Sequence, residues 1–244
     1  MAPVRLVAVG DSLSEGVGDP GPGGLRGWVH YLTSGPDGPE LVANLARTGA
    51  TVADVRRHQL ERAVAAAPDV VTCVVGVNDV LSGRFDAAAF ERDYEHVVAT
   101  LVGAAGAGVL TMTLHDLTVG LPLPRGRRVE LRHRIARANE VVERVSARHG
   151  TWVLDARAVA PLRAGGMLSL DLLHPNRRGH RYVAAFALDV LRTGGVCPPG
   201  PGAVVPEADP LPRRVIAGAR HVRWLAGHLV RPLLRRPGAG AGRP

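Results

Sequence analysis

A parallel α/β sheet with helices on both faces is the fold class this sequence predicts, and three observations predict it. Short valine-rich runs alternate with helix-length segments, the pattern of βαβ units. Two of the runs, Leu6–Val9 and Val70–Val75, are almost continuously apolar, as strands covered on both faces are. The runs then break into polar turns carrying glycine or asparagine, which is where a parallel sheet places its ligand site.

In chain order, the first strand ends at Gly10 and passes into the turn Asp11-Ser12-Leu13-Ser14-Glu15-Gly16. Residues 19–24, rich in Pro and Gly, predict a loop without regular structure, and a short helix starts at Gly27. Residues 40–46 read as the second strand and are followed by Arg47-Thr48-Gly49-Ala50-Thr51. One helix is expected over 53–66, closed by Pro68. Residues 69–75 form the third strand, leading to Gly76-Val77-Asn78-Asp79. Helical spacing recurs over 86–105, and the fourth strand covers 109–113. A Pro/Gly-containing loop from His115 to Arg128 precedes a helix over 130–149 and a fifth strand over 152–155. The loop Ser169–His180 then opens a last helix that runs to about Arg192.

The 244 residues suffice for one sizeable domain and an appendage. We expect a domain over 1–194, a Pro/Gly-rich linker over 195–212, a basic amphipathic helix over 213–236 and a disordered tail over 237–244. The first strand begins almost at Met1, with no basic and apolar leader before it. No run reaches the ~20 apolar residues that cross a bilayer, and the expectation is a cytoplasmic protein. Cys73 and Cys197 have neither metal nor redox spacing. Neither a metal cluster nor a phosphate-binding glycine loop is present in the sequence, so no cofactor is expected.

Charge is unevenly placed. Residues 1–209 hold 22 Arg against 22 Asp and Glu, whereas 210–244 hold eight Arg and no acid, which accounts for the net +8. There is no Lys. In the basic segment Val215, Ala219, Val222, Ala226, Leu229, Val230 and Leu233 share one helical face and most Arg the other. Three readings stay open for it: contact with an anionic membrane surface, peripheral to the membrane, through 213–236; docking on the domain or a second subunit; or another role. Nucleic acid is not expected, since charge alone without a motif is no evidence for it. The oligomeric state stays open.

Ser12, on a turn beyond a strand end, is a candidate nucleophile. An activated serine needs a base within reach, a group that orients the base, and donors for the oxyanion. Asp171 and His174, three apart before the last helix, can project from one turn as that orienting group and base. Gly49 and Asn78 follow other strands; a bare backbone N–H and a side-chain amide there could join the Ser12 N–H as an oxyanion hole. The Gly-x-Ser-x-Gly elbow of α/β hydrolases is absent.

Gly10-Asp11-Ser12-Leu13, then Gly49, then Gly76-x-Asn78-Asp79, then Asp171-x-x-His174-Pro175 resemble the four blocks of the GDSL/SGNH hydrolases. The resemblance extends over about residues 4–193 and to Asn44, Thr51-x-x-Asp54 and Asn176-x-x-Gly179-His180. It implies a three-layer α/β/α sandwich on a five-stranded parallel sheet, of flavodoxin-like topology. It also implies an esterase or lipase that cleaves a small-molecule or lipid ester through Ser12, Asp171 and His174, with oxyanion donors Ser12, Gly49 and Asn78. Acyl transfer with the same residues is the alternative, and a lipid- or carbohydrate-binding module on an idle scaffold a more remote one. Asp11 is read as a brace of the turn, Asp54 as a cap near Gly49, and His180 as a helix residue. His115 and the apolar Val119, Leu121 and Leu123 are candidates for pocket walls.

Overall fold

The computed structural model describes residues 3–83, 85–119, 123–157, 166–204, 206–207 and 219. The expected helix over 213–236, apart from Ala219, and the tail over 237–244 lie outside the described residues. The chain forms β1 (Arg5–Gly10), α1 (Ser12–Glu15), β2 (Pro20–Gly21), β3 (Gly24–Leu25), α2 (Gly27–Thr33) and β4 (Glu40–Asn44). It continues with α3 (Val52–His58), α4 (Leu60–Ala65), β5 (Val70–Val74), α5 (Val77–Leu81), α6 (Ala87–Ala104) and β6 (Gly108–Met112). Last come α7 (Arg125–His149), β7 (Trp152–Leu154) and α8 (Arg177–Thr193).

Five strands make one sheet in the order β4-β1-β5-β6-β7, and every pairing is parallel. Alternate β1 residues divide between the layers. Val7 and Val9 join Val71, Cys73 and Val109 against α3, α4, α6 and α7. Leu6 and Ala8 join Val74, Leu110, Met112 and Leu154 against Trp28 of α2 and Tyr182, Val183 and Leu191 of α8. Each face of the sheet is thus buried under helices, which is why the strands read as apolar runs rather than alternating ones. The result is the three-layer sandwich, and its strand order is the flavodoxin-like one.

Three elements depart from the sequence reading. The helix expected over 53–66 is two, broken at Gln59, whose side chain turns inward to β1. The loop over 19–24 contains a minimal antiparallel pair, β2 with β3, where Pro20 sits in a two-residue strand that can spare an N–H. The helix expected from residue 130 already begins at Arg125.

After α8 the chain turns back over that helix. Arg192 donates through Nε to the Pro198 carbonyl (3.0 Å) and through Nη1 to that of Pro201 (2.8 Å), and Arg178 Nε donates to the Pro206 carbonyl (2.7 Å). Among the described residues no helix is long and apolar enough to cross a membrane.

Candidate active site

The end of β1 is held by a residue the sequence reading did not single out. Gln59 is 2% exposed, accepts from Gly10 N through Oε1 (2.8 Å) and donates from Nε2 to Gly10 O (2.9 Å). Its only sequence signal is an amide placed on an otherwise apolar face, with Val52, Val55 and Ala63. Gly10 has φ +142°, and a Cβ there would lie 1.9 Å from the Val74 carbonyl oxygen, so β1 and β5 close together only because this residue is glycine. Asp11 N donates to that same carbonyl (3.2 Å).

Ser12 opens the one-turn helix α1. Asp11 caps it, its Oδ1 accepting from Leu13 N (3.0 Å), so the brace expected of Asp11 is present. Burial pushes the Asp11 carboxyl up to about 7, against the Leu13 N–H and the field of His174.

His174 approaches from the far side. Its Nε2 lies 2.8 Å from Ser12 Oγ and its Nδ1 2.7 Å from Asp171 Oδ2. A carboxylate only accepts, so Nδ1 holds the proton and Nε2 is left to accept from the Ser12 hydroxyl. The Asp171 and His174 side chains are 17% and 15% exposed. Asp171 Oδ1 accepts from Leu173 N (3.0 Å), His174 N (3.0 Å) and Ser169 Oγ (2.7 Å), which fixes the carboxylate from its other edge. The loop is closed by Ser169 N to His174 O (2.8 Å), and Asn176 ties it to α8 by capping Gly179 N (3.1 Å).

Gly49 sits on the turn after β4 and Asn78 in the first turn of α5, which follows β5; β4 and β5 are the two strands beside β1. Gly49 is exposed with φ +83° and nothing crowding a would-be Cβ, so its conformation rather than lack of space calls for glycine. Asn78 Nδ2 donates to the Ala50 carbonyl (2.9 Å), which orients the amide. One amide hydrogen satisfies that bond, and among the described residues no bond is made by the other. Thr48 N (2.6 Å) and Oγ1 (2.5 Å) donate to Glu15 Oε2, and Arg47 N donates to Gly10 O (3.1 Å), lashing the Gly49 turn to α1 and β1. Asp79 accepts from Val52 N (3.1 Å), and partial burial pushes its carboxyl up to about 6. Asp54 forms a capping box with Thr51 at the head of α3, as its spacing suggested.

A narrow apolar cavity opens beside Ser12 and His174, walled in part by Val74, Met112, Leu114 and Leu154. His115 lines it; Leu123 packs instead on the α6–α7 side, and Leu121 lies outside the described residues. Neither Gly49 nor Asn78 lines this cavity, although Val77, beside Asn78, does. His180 is fully buried, with Nδ1 accepting from Trp28 N (3.1 Å) and Nε2 donating to the Val17 carbonyl (2.9 Å). Burial lowers it to about 4, so it is a neutral strut away from Ser12.

Residues 8–182 match the model of the GDSL-like lipase/acylhydrolase family. Among curated proteins none matches the chain. Among solved structures the chain is similar to Axe2, an acetylxylan esterase from Geobacillus stearothermophilus, at 20% identity over 79% of this chain and 94% of that one, with a TM-score of 0.61. It is similar to LAE5, an alpha/beta hydrolase enzyme from the metagenome of Lake Arreo, Spain, at 22% identity over 79% and 95%, with a TM-score of 0.61. Further matching structures, at 20% identity, are described as catalytic mutants of Axe2 in which a serine, a histidine or an aspartate is replaced by alanine. At these identities the structural likeness speaks for the fold, whereas the family match spans most of the chain. The chain belongs to the GDSL-like lipase/acylhydrolase family and is a carboxylic ester hydrolase.

Proposed function

We propose that Ser12 is the nucleophile of this ester hydrolase, His174 its general base and acid, and Asp171 the group that orients His174. The observation that carries this is the unbroken relay of 2.8 Å from Ser12 Oγ to His174 Nε2 and 2.7 Å from His174 Nδ1 to Asp171. The aspartate, histidine and serine named in the Axe2 mutants support it by analogy.

In the first half-reaction Ser12 Oγ attacks the ester carbonyl carbon as its proton passes to His174 Nε2. The carbonyl π electrons move to oxygen, where the Ser12 N–H, the Gly49 N–H and the free Asn78 amide hydrogen receive the charge. Collapse breaks the bond to the alcohol oxygen, which leaves with the proton from His174. Water then repeats the sequence on the acyl-serine, freeing a carboxylic acid and regenerating Ser12. Asp171 stays ionised and stabilises the imidazolium.

Nitrophenyl acetate hydrolysis, wild type beside Ser12→Ala, tests this. Turnover should vanish in the variant. Near-wild-type turnover by Ser12→Ala would refute the assignment.

A further inference from the structure

The cavity beside Ser12 carries information about the acyl group. It is walled by residues from the ends of three adjacent strands: Val74 of β5, Met112 of β6 and Leu154 of β7, with Val183 of α8 closing it. These four are 3%, 4%, 1% and 3% exposed, and all belong to the core layer under α2 and α8. They form the wall on the side of that layer, Val75, Leu114 and Leu117 of the other layer complete it, and Ser12 and His174 mark where chemistry occurs. The polar wall residue from the β6 edge, Thr113, is already committed: its hydroxyl donates to Asp155 Oδ1 (2.9 Å) and accepts from Ala156 N (2.9 Å). Asp11 and His115 are further polar wall residues, but most of the wall is Val, Leu, Met and Ala, so the cavity favours an apolar group.

Its size is about 40 Å³. A water-sized sphere needs about 10–15 Å³, so the space takes only a few atoms of an acyl group. A longer chain could enter only by displacing side chains of the packed core, which is stiff at the scale of one methylene.

We infer that this cavity is an acyl subsite for short, unbranched apolar acyl groups, acetyl to about butyryl, and that Met112 and its neighbours set the length limit. The inference rests on the acyl-enzyme reading above. A long-chain lipid is not the substrate class it fits.

The experiment is kcat/KM on nitrophenyl acetate, butyrate, hexanoate and octanoate, with wild type, Met112→Ala, Ala156→Val and Ser12→Ala. Wild type should prefer the short esters and fall about tenfold or more by octanoate, the discrimination a closed apolar pocket gives. Met112→Ala, which enlarges the cavity at this wall, should move the preference toward hexanoate. Ala156→Val, at another wall position of the cavity, should depress butyrate relative to acetate, and decides the matter alone if Met112→Ala does not fold. Wild type cleaving octanoate as well as acetate, or an unchanged chain-length profile in a folded variant, would overturn the subsite. Loss of the hydrolase reading has a different signature: no ester would show turnover that depends on Ser12, and the subsite would fall with it.

Discussion

Gln59→Glu replaces the side-chain NH2 by an oxygen and tests whether the buried brace on Gly10 holds Ser12 in place. Gly10 N donates to Oε1 (2.8 Å) and Gly10 O accepts from Nε2 (2.9 Å). A protonated glutamate can reproduce both bonds, its carbonyl oxygen accepting and its hydroxyl donating. An ionised one cannot, because its second oxygen meets the Gly10 carbonyl acceptor to acceptor, in a site only 2% exposed. Burial and this clash both raise the acid's pKa above the usual ~4.3. The sign follows: an acid raised in the folded state contributes stability that is whole below ~4.3 and is lost as pH climbs through the raised value. Each pH unit of that rise is worth about 1.4 kcal/mol. Once ionised, the side chain pushes on the residue two before Ser12, and a misplacement approaching 1 Å costs up to about 10² in rate. We expect the variant-to-wild-type ratio of kcat to be near one at pH 5.5 and to fall tenfold or more by pH 8.5, with KM little changed. Urea unfolding should show the parallel stability loss. A ratio flat across that range would refute the bracing argument, since a merely packed glutamine has no reason to make kcat follow the new ionisation.

Two further outcomes follow from the same coordinates. Asn78→Ala should lower kcat by about 10²–10³ with KM little changed, the usual worth of one oxyanion donor; a fall of less than threefold in steady-state assays would remove Asn78 from that role. His180 is held near 4 against an ordinary 6.5. Its folded-state value is depressed, so the stability it confers is lost as pH drops from about 6.5 through about 4, by roughly 3 kcal/mol. His180→Gln, which keeps an acceptor for Trp28 N and a donor for the Val17 carbonyl, should lose correspondingly less between pH 7 and pH 4 in urea titrations, and an identical acid loss would contradict the account.

What the sequence made legible was whatever depends on local pattern. The valine runs of β1 and β5 declare themselves because both faces are covered. Ser12, Asp171 and His174 are readable because a polar cluster after an apolar run is unusual. The break at Gln59 was not readable: the residues around it keep helical spacing, and the helix yields only because Gly10, 49 residues earlier, offers two backbone groups to pair. The early start of α7 was hidden for the opposite reason. Residues 124–130 are exposed throughout, so no buried face imposes a period on them. The cavity was invisible because its wall is assembled from Val74, Met112, Leu154 and Val183, each an ordinary core residue in its own segment.

Sheet order explains why the site is built in two unequal halves. The chain goes from β1 to β4 on one side, then returns past β1 to β5 on the other. That reversal leaves the ends of β4, β1 and β5 side by side, and the segments that follow them carry Gly49, Ser12 and Asn78 in that spatial order. Bonds from Arg47 to Gly10, Thr48 to Glu15, Asn78 to Ala50 and Val52 to Asp79 make those segments a single frame. His174 has no such place: it follows β7, two strands beyond β5, and has to reach back across the edge of β6. Its loop therefore needs its own scaffold, which Asp171 supplies by accepting three bonds on one oxygen and orienting the imidazole with the other. The stretch of sheet edge that His174 spans, over β5, β6 and β7, is where the apolar cavity opens. On this geometry the carboxylate of Asp171 serves the position of His174 as much as its charge.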